Sequence, residues 1–394
     1  WQNFKANRRG YVSLWIFSIL FFLCLFAEFI ANDRPIFVSY KGEWLAPVFI
    51  DYPEEKFGGF LAETDYRDPV IADEINAHGF ALWPPVRFAS NTINRDLPSP
   101  APAPPTWMQR EENCAAVAMK SGGKTCRDIE WNWLGTDDGG RDVLARIIYG
   151  FRISVLFGLF LAAISSVIGI LAGAVQGYFG GRIDLYFQRF MEVWGSVPQL
   201  YLIIIVASII TPTFWVLLVI FLLWSWMGLV DLVRAEFYRA RSFDYVRAAR
   251  ALGVPDWWVM FKHVLPNAMV SVMTLLPFTL AGSVTLLSSL DFIGYGLPVG
   301  SPSLGELTLQ ARNNLFAPWL GFTAFFTLGT LLILLVFIGE GVRDAFDPRK
   351  AYKPSSGVDT LAEAVKIGSP PAFAETPGGP EHDVGATDAG QENR

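Results

Sequence analysis

Charged residues are scarce in this sequence of 394 residues, since Asp, Glu, Lys and Arg make up only 17% of it, against about 25% in a soluble domain. Four long runs contain none of them, namely residues 153–181, 193–230, 264–290 and 315–339. About 20 predominantly apolar residues are enough for a helix to cross the hydrocarbon core of a bilayer. The composition therefore excludes a disordered chain, argues against a soluble enzyme, and predicts a membrane protein.

Six membrane spans account for the apolar runs. The run 193–230 is long enough for two crossings, and residues 211–213 (Thr-Pro-Thr) at its middle are typical of a turn. A shorter run over 11–27 adds the first span. Because residues 23–29 are bulky and acidic where a cleavage site would need small residues, we expect this span to remain as an uncleaved anchor. The expected fold is an all-α membrane protein with six transmembrane helices.

Histidine and cysteine are rare, with three residues each, so a metal site is not expected. The chain also lacks a Gly-x(4)-Gly-Lys-Ser/Thr phosphate loop. We therefore expect no cofactor and no catalytic residues on this chain, since no convergent set of His, Asp, Ser or Cys is recognisable. Cys114 and Cys126 fall in a segment expected outside the cytoplasm, where an oxidising environment favours a disulfide over two free thiols.

Basic residues decide the predicted orientation. Lys5, Arg8 and Arg9 precede the first span with no acidic residue among them, and short basic flanks stay in the cytoplasm. Counting six crossings then places residues 32–150 outside and both termini and the basic loop 234–266 inside. We expect a multi-pass protein of the bacterial inner membrane. The net charge of −6 offers no support for a nucleic-acid partner, and none is expected.

Four segments follow from this topology. Residues 1–31 hold the cytoplasmic N-terminus and the first span. Residues 32–133 form a periplasmic insert rich in Pro, Asp and aromatic residues, expected to be irregular, with short strands such as 36–40. Residues 134–350 carry the other five spans. The tail 351–394 is rich in Pro, Gly, Ala and acidic residues and is predicted to be disordered in the cytoplasm.

The basic loop 234–266 contains two short predicted helices over residues 242–263, which we call the elbow. We expect Ser242 to cap the first helix, Gly253 to end it in the left-handed conformation, and Pro255 to be the first residue of the second. The apolar face of the first helix, at helical spacing, comprises Tyr245, Ala248, Ala249 and Leu252. Such a face indicates docking into a groove on another subunit.

This loop resembles the E-A-A-x(3)-G-x(9)-I-x-L-P motif of the permeases of binding-protein-dependent ABC importers. The matching residues are Ala248, Ala249, Gly253, Leu265 and Pro266. Arg247 stands where the motif has Glu and His263 where it has Ile, as in the oligopeptide and dipeptide branch of the family. Segments 134–142 and 341–349 also resemble that branch. Together with the long insert, they are similar to the E permeases of Yej-type importers of peptides and microcin C.

The resemblance implies the type I ABC importer permease fold and a subunit that forms half of a pore for peptides moving from periplasm to cytoplasm. The partners it implies are a homologous second permease, ATP-binding subunits that hold ATP and Mg, a periplasmic solute-binding protein, the lipid bilayer and a peptide substrate. The residues implied in coupling to the ATPase are Asp244, Tyr245, Arg247, Ala248, Ala249, Leu252, Gly253, His263, Leu265 and Pro266. The candidate gate residues in the fifth span are Ser283, Thr285, Ser288 and Ser289.

Alternatives remain at this stage. A permease of the same family for a different small solute fits the motifs, and an intramembrane enzyme or a scaffold is the rival class. Arg247 and Arg250 serve either as positive-inside charges or as contacts to the ATPase. Segment 134–142 is either an amphipathic helix at the outer interface, which we favour, or a substrate contact. The aromatic residues of the insert either face a protein partner or build its own small core.

Overall fold

The computed structural model describes residues 1–119, 123 and 125–346, and the expected disordered tail 351–394 lies outside the described residues. The helices are α1 Gln2–Ala6, α2 Arg8–Leu25, α3 Ala27–Ile30, α4 Pro69–His78, α5 Glu111–Ala118, α6 Val143–Phe179, α7 Gly181–Gly195, α8 Gln199–Ile209, α9 Phe214–Ser225, α10 Met227–Ala240, α11 Asp244–Ala251, α12 Asp256–Trp258, α13 Leu265–Ile293, α14 Leu304–Asn313 and α15 Pro318–Phe346. A π-helix, Val259–Val264, joins α12 to α13. The strands are β1 Phe37–Tyr40, β2 Glu43–Leu45 and β3 Gly79–Leu82.

Among the described residues, five helical stretches are long and apolar enough to cross a membrane. They are Arg8–Leu25, Val143–Phe179, Phe214–Ala240, Asp256–Ile293 and Pro318–Phe346. The bent pair of α7 and α8 makes a sixth span when the two helices are counted together. The all-α membrane fold with six spans is confirmed on this count.

The third span is bent where the sequence contains a proline. α7 and α8 meet at 59°, and the break falls at residues 196–198. Pro198 has no amide hydrogen to donate and disfavours a helical conformation in the residue before it, so a bend is expected there. Pro277 lies inside α13, which continues through it as a single helix.

Small residues let α6 pack closely against α10. A Cβ atom on Gly173 would lie 2.7 Å from the carbonyl oxygen of Val230, and one on Gly177 would lie 2.5 Å from that of Arg234. Any larger side chain would push the two helices apart, which is the usual reason for small residues in transmembrane interfaces. The small-residue face of the second span is therefore a helix-packing face.

The spans leave loops at two ends of the bundle. The elbow end carries the elbow and the end of α6, where Tyr178 meets Asp256. The insert end carries the start of α6 and the start of α15, where Trp319 Nε1 donates to the backbone oxygen of Thr136 over 3.3 Å. α2 packs antiparallel to α15, so the chain enters the first span and leaves the last one at the elbow end.

The insert has more regular structure than the sequence led us to expect. β1 pairs antiparallel with both β2 and β3, in the order β2-β1-β3, and β1 confirms the strand predicted at 36–40. One face of this sheet packs with α4 in a core of its own. The buried residues of that core are Val38, Tyr40, Leu45, Phe57, Tyr66, Ile71 and Ile75.

Candidate functional site

The elbow consists of two helices, α11 and α12, joined by a turn at Gly253. Gly253 has a φ of +78°, the left-handed conformation expected from the sequence. The amide of Val254 donates to the carbonyl oxygen of Ala249 over 3.1 Å and closes the turn. A Cβ atom on Gly253 would meet no other atom within 4 Å. Glycine is therefore required here by the backbone conformation and not by packing.

The starts of both elbow helices differ slightly from the prediction. Ser242 does not cap α11, because its hydroxyl donates to a backbone carbonyl oxygen one turn earlier, at 2.8 Å, and Phe243 occupies the cap position without a side-chain bond. Pro255 precedes α12 instead of being its first residue. Asp244 and Asp256 lie in the first turns of the two helices, where a negative charge is favoured by the helix dipole.

The inner face of the elbow is fixed to the spans. Tyr178 of α6 donates its hydroxyl to Asp256 over 2.6 Å, and Arg250 Nε donates to that same hydroxyl oxygen over 3.1 Å. Arg250 therefore holds the elbow against α6. The buried apolar residues that join the elbow to α6 and α10 are Val246, Ala249, Val259, Met260, Val264, Tyr178, Val233 and Phe237.

The outer face of the elbow is apolar and exposed. Leu252 is 84% exposed, and Tyr245, Ala248 and Trp257 are exposed beside it. Ala249 was expected on this face, but it is buried, because α11 turns the side that holds Val246 and Ala249 towards the spans. Tyr245, Ala248 and Leu252 therefore form the surface on α11 that is open to a partner.

Arg247 and His263 complete the polar part of the loop motif. Arg247 is exposed, and its guanidinium lies 4.0 Å from the carboxylate of Asp244, so the pair is solvent-screened and weak. His263 is half-buried near the end of the π-helix Val259–Val264. Arg247 thus presents its charge on the exposed side of the elbow, whereas Arg250 is engaged within the chain.

Leu265 and Pro266 lie at the start of α13. Leu265 is half-buried against the core that anchors the elbow, and Pro266 is exposed. The π-helix leads directly into α13, so the helical backbone runs from Asp256 to Ile293 without an intervening loop. The helix of the fifth span therefore starts in the elbow, ten residues before Pro266.

Segment 134–142 is not the amphipathic helix that we expected. It forms turns and short bridges, and Gly140 within it has a φ of +77°, which a helix does not accommodate. The segment ends at Asp142, which caps α6 by accepting a bond from the amide of Ala145 over 2.8 Å. Burial raises the pKa of Asp142 to about 6, with the cap bond and a bond from Asn132 acting in the opposite direction.

Asp137 of the same segment is the centre of a buried ion network. Its Oδ2 accepts from Arg146 Nη1 over 2.5 Å and from Arg141 Nε over 2.8 Å. Arg146 is fully buried, and its Nη2 lies 3.0 Å from Glu306 and donates to the carbonyl oxygen of Ser301 over 2.7 Å. The network ties the start of α6 to the chain around the start of α14 at the insert end.

The four candidate gate residues lie on two sides of α13. Ser283 and Ser288 are buried, and the hydroxyl of Ser283 donates to the carbonyl oxygen of Thr279 over 2.9 Å. Thr285 and Ser289 are exposed. The structure therefore does not bring the four together, and only Thr285 and Ser289 share an open face.

The insert carries a disulfide and an exposed aromatic surface. The structure contains the bond between Cys114 and Cys126. Trp44 and Phe80 are exposed on the face of the sheet opposite its core, with ring centroids 5.9 Å apart. Other aromatic residues of the insert, such as Tyr52, pack against the core of the insert. The core reading is therefore confirmed for one set, and the partner reading stays a prediction for the exposed pair.

A metal site is not found in the part of the chain that the structure describes. No group of three or more His, Cys, Asp or Glu side chains there is arranged to hold a metal ion. The described residues instead form a surface at the elbow that is open to a partner. This surface is continuous with a helix that crosses the bundle. This geometry is the one expected of a membrane subunit that works with a partner at the elbow.

Comparison with known families and proteins agrees with this class. The family of binding-protein-dependent transport system inner membrane components matches residues 165–352. The N-terminal transmembrane domain of oligopeptide transport permease C matches residues 1–54.

Three relatives bring the comparison to particular proteins. The peptidoglycan transport system permease protein YejE of Agrobacterium fabrum is 61% identical over 354 residues, which cover 90% of this chain and 93% of the relative. The inner membrane ABC transporter permease protein YejE of Escherichia coli is 54% identical, with 89% and 96% covered. The oligopeptide transport system permease protein OppC of Lactococcus lactis subsp. lactis is 35% identical, with 56% and 76% covered. The chain therefore belongs to the family of binding-protein-dependent transport system inner membrane components, which are ABC importer permeases.

Three polar residues near the ion network, at the far end of the fifth span, were not predicted from the sequence. Asp291 lies in the last turn of α13, and Glu306 and Gln310 lie on α14, and all three face the insert end. Asp291 directly follows the uncharged run 264–290. If the charged residue that ends an apolar run is counted as part of the helix, this carboxylate is predicted in the last turn.

Proposed function

We propose that this chain forms half of the transmembrane path of an ATP-driven importer that moves peptides from the periplasm into the cytoplasm. A homologous permease would supply the other half, and a periplasmic solute-binding protein would deliver the peptide. The observation that carries the proposal is the exposed apolar face of the elbow, which is continuous with a helix across the bundle. The names of the relatives, which include peptidoglycan and oligopeptide transport, support peptides as the substrate class.

ATP hydrolysis is assigned to partner subunits that hold ATP and Mg. This chain has no Gly-x(4)-Gly-Lys-Ser/Thr loop with which to bind the phosphates. Tyr245, Ala248 and Leu252 would insert into a groove on an ATPase subunit, as an amphipathic helix does when it docks. Arg247, exposed beside them, would add a charge contact at the edge of that groove.

The structure of the fifth span supports a coupling role for the elbow. The helix from Asp256 to Ile293 has 38 residues and is therefore about 57 Å long at a rise of 1.5 Å per residue. A displacement of the elbow by an ATPase subunit would reach the far end of this helix, because no flexible loop lies between them. Thr285 and Ser289 would face the path of the peptide, offering hydroxyl groups to its backbone.

The orientation follows the basic residues. The elbow end, with the N-terminus, is placed in the cytoplasm, and the insert in the periplasm, as the positive-inside rule requires. The exposed pair of Trp44 and Phe80 would then face the binding protein or the second permease. A permease of the same family for a different small solute remains the alternative, and uptake of labelled peptide by reconstituted vesicles decides between them.

Docking at the elbow is tested by Leu252→Asp in the complex with its ATPase subunits. Leu252 is 84% exposed, so the change leaves the fold intact and places a charge on the docking face. Leu315→Asp is a matched control, since Leu315 is also 84% exposed and lies at the insert end. We expect ATPase subunits to co-purify with the control and to be lost from the elbow variant. Equal recovery with both variants would contradict docking at this face.

A further inference from the structure

A small cavity lined by both polar and apolar side chains lies at the insert end, between the last turn of α13 and α14. Its volume is about 220 Å³. The side chains that matter for its chemistry are Asp138, Arg141, Asp291, Ser303, Glu306 and Gln310. The cavity is too small for a whole peptide but has the size of one extended side chain or one terminal residue.

Asp291 is a buried carboxylate that forms no ion pair with a lysine or arginine among the described residues. It is 5% exposed. One of its oxygens accepts a bond from the amide of Leu297 over 2.7 Å, and the other accepts from the hydroxyl of Ser303. Buried charges in proteins are normally paired, and ionisable residues near the membrane interior usually have a functional role.

The arginines of the ion network do not compensate this charge. Arg141 bonds to Asp137 over 2.8 Å, and Arg146 bonds to Asp137 and Glu306. Asp138 lies 3.8 Å from Arg141, and its side chain is 45% exposed at the cavity. Four carboxylates therefore meet two guanidinium groups here, and the excess negative charge lies on the side of Asp138 and Asp291.

Gln310 adds an acceptor without a partner. It is 5% exposed, and its Nε2 donates to Glu306 over 3.2 Å. That bond fixes the orientation of the amide and leaves Oε1 buried with no hydrogen-bond partner. A buried acceptor costs free energy unless something donates to it. Together with the carboxylates of the lining, this acceptor favours a ligand that donates hydrogen bonds and carries positive charge.

We infer that the cavity binds the primary ammonium group of a peptide in transit, either its N-terminal amine or a lysine side chain. An ammonium group has three donors and one positive charge, which match Asp291, Asp138 and the free oxygen of Gln310. The inference rests on the proposed function for the identity of the ligand. The site lies on the span that continues into the elbow, so movement of that span would alter the cavity and release the amine.

The test uses the purified full-length chain in nanodiscs, with lysine amide as the probe and its diacetylated form as the uncharged comparison. Saturation-transfer NMR measures the binding of each. We expect lysine amide to bind and the diacetylated form not to bind. Asp291→Asn keeps the shape of the side chain and should weaken binding of lysine amide about tenfold or more, as expected for loss of a charge-assisted contact.

Two further variants keep the test decisive. Asp138→Asn alters a half-exposed residue and is expected to fold normally while also weakening binding, so it decides the matter if Asp291→Asn is unstable. Asp231→Asn makes the same change on the exposed side of α10, outside the cavity, and should bind as the native chain does. Equal binding of both probes, or unchanged affinity in Asp138→Asn and Asp291→Asn, would overturn the inference.

The proposed function is tested separately from the site. The binding measurement needs no ATPase subunit and no transport. A chain that binds lysine amide in a complex that imports no peptide would support the cavity and contradict the proposed function. Import can also be compared between lysine peptides and their acetylated forms, at saturating loaded binding protein. If both the native chain and Asp138→Asn import the two forms equally well, ammonium binding in the cavity is contradicted and the proposed function is not.

Discussion

Gly253→Val alters one backbone conformation at the elbow and no packing contact. Gly253 has a φ of +78°, and an added Cβ atom would meet nothing within 4 Å. A residue other than glycine held in the left-handed region costs about 1–3 kcal/mol, and a β-branched residue is particularly unfavourable there. The strain is relieved only if the turn between α11 and α12 changes its geometry.

The strain is large compared with what holds α11 in place. Val246 and Ala249 are its two buried residues, and Arg250 adds a hydrogen bond to Tyr178. A penalty of about 2 kcal/mol lowers the population of the native elbow about 30-fold relative to competing arrangements. The spans do not contact Gly253, so the abundance of the chain in the membrane is expected to be unchanged.

The assay is the ATPase activity of the assembled complex in nanodiscs, with and without the loaded binding protein. We expect the stimulated activity to fall about tenfold or more in Gly253→Val. Two controls separate coupling from general damage. Gly58→Val introduces the same backbone strain in the insert, because Gly58 has a φ of +90° and an added Cβ atom there would meet nothing within 4 Å. Gly329→Val adds the same side chain on α15, where an added Cβ atom also meets nothing within 4 Å.

Two results would contradict this reasoning. Stimulated activity at the native level in Gly253→Val, with normal abundance, would mean that the elbow turn does not transmit the movement. A similar loss in Gly58→Val would mean that backbone strain anywhere in the chain reduces activity, and Gly253 would then have no special role. Retained activity in both controls and loss in Gly253→Val is the expected pattern.

Three further predictions follow from the insert end of the molecule. Alkylation mass spectrometry without reductant should label neither Cys114 nor Cys126, and labelling of both would contradict the disulfide and weaken the assigned topology. Arg146→Met removes the closest cation from Glu306 and one of the two cations from Asp137, and should destabilise the chain by about 3–5 kcal/mol, measured as a lower melting temperature in detergent, and an unchanged melting temperature would contradict a structural role for the network. Trp44→Ser with Phe80→Ser should lower the apparent affinity for loaded binding protein and leave basal ATPase activity intact, and unchanged affinity would assign this surface another role.

The spans were predictable because they depend on composition over long stretches. Uncharged runs located the spans, except that the bent third span begins earlier, in α7, which carries charged residues. The turn at Gly253 was predictable for a different reason, since few residues other than glycine adopt that conformation. Each of these features is set by residues that are neighbours in the sequence.

The faces of the elbow and the form of segment 134–142 depend on distant residues. Ala249 fits the apolar periodicity of an outward face, but Val246 and the core around Tyr178 decide which side of α11 turns inward. Asp137 looked like part of an exposed amphipathic segment, because its partner Arg146 is buried by a second pairing with Glu306, which lies far along the chain. Sequence periodicity indicates that a face is apolar, and the tertiary partner decides where that face points.

The two ends of the fifth span differ in how firmly they are held. At the insert end, fully buried Arg146 connects α6 to Glu306 of α14, and Ser303 at the start of α14 donates to Asp291 of the fifth span. Breaking a buried ion pair costs about 3–5 kcal/mol. At the elbow end, the helix of the fifth span is joined to α6 by buried apolar contacts and by the bond between Tyr178 and Asp256 near the surface, and a typical hydrogen bond contributes about 0.5–1.5 kcal/mol. If an ATPase subunit displaces the elbow as proposed, the helix from Asp256 to Ile293 should therefore pivot near the ion network. The widest movement would then occur at the elbow end. At the pivot, the helix would rotate only slightly and thereby change the shape of the adjacent cavity.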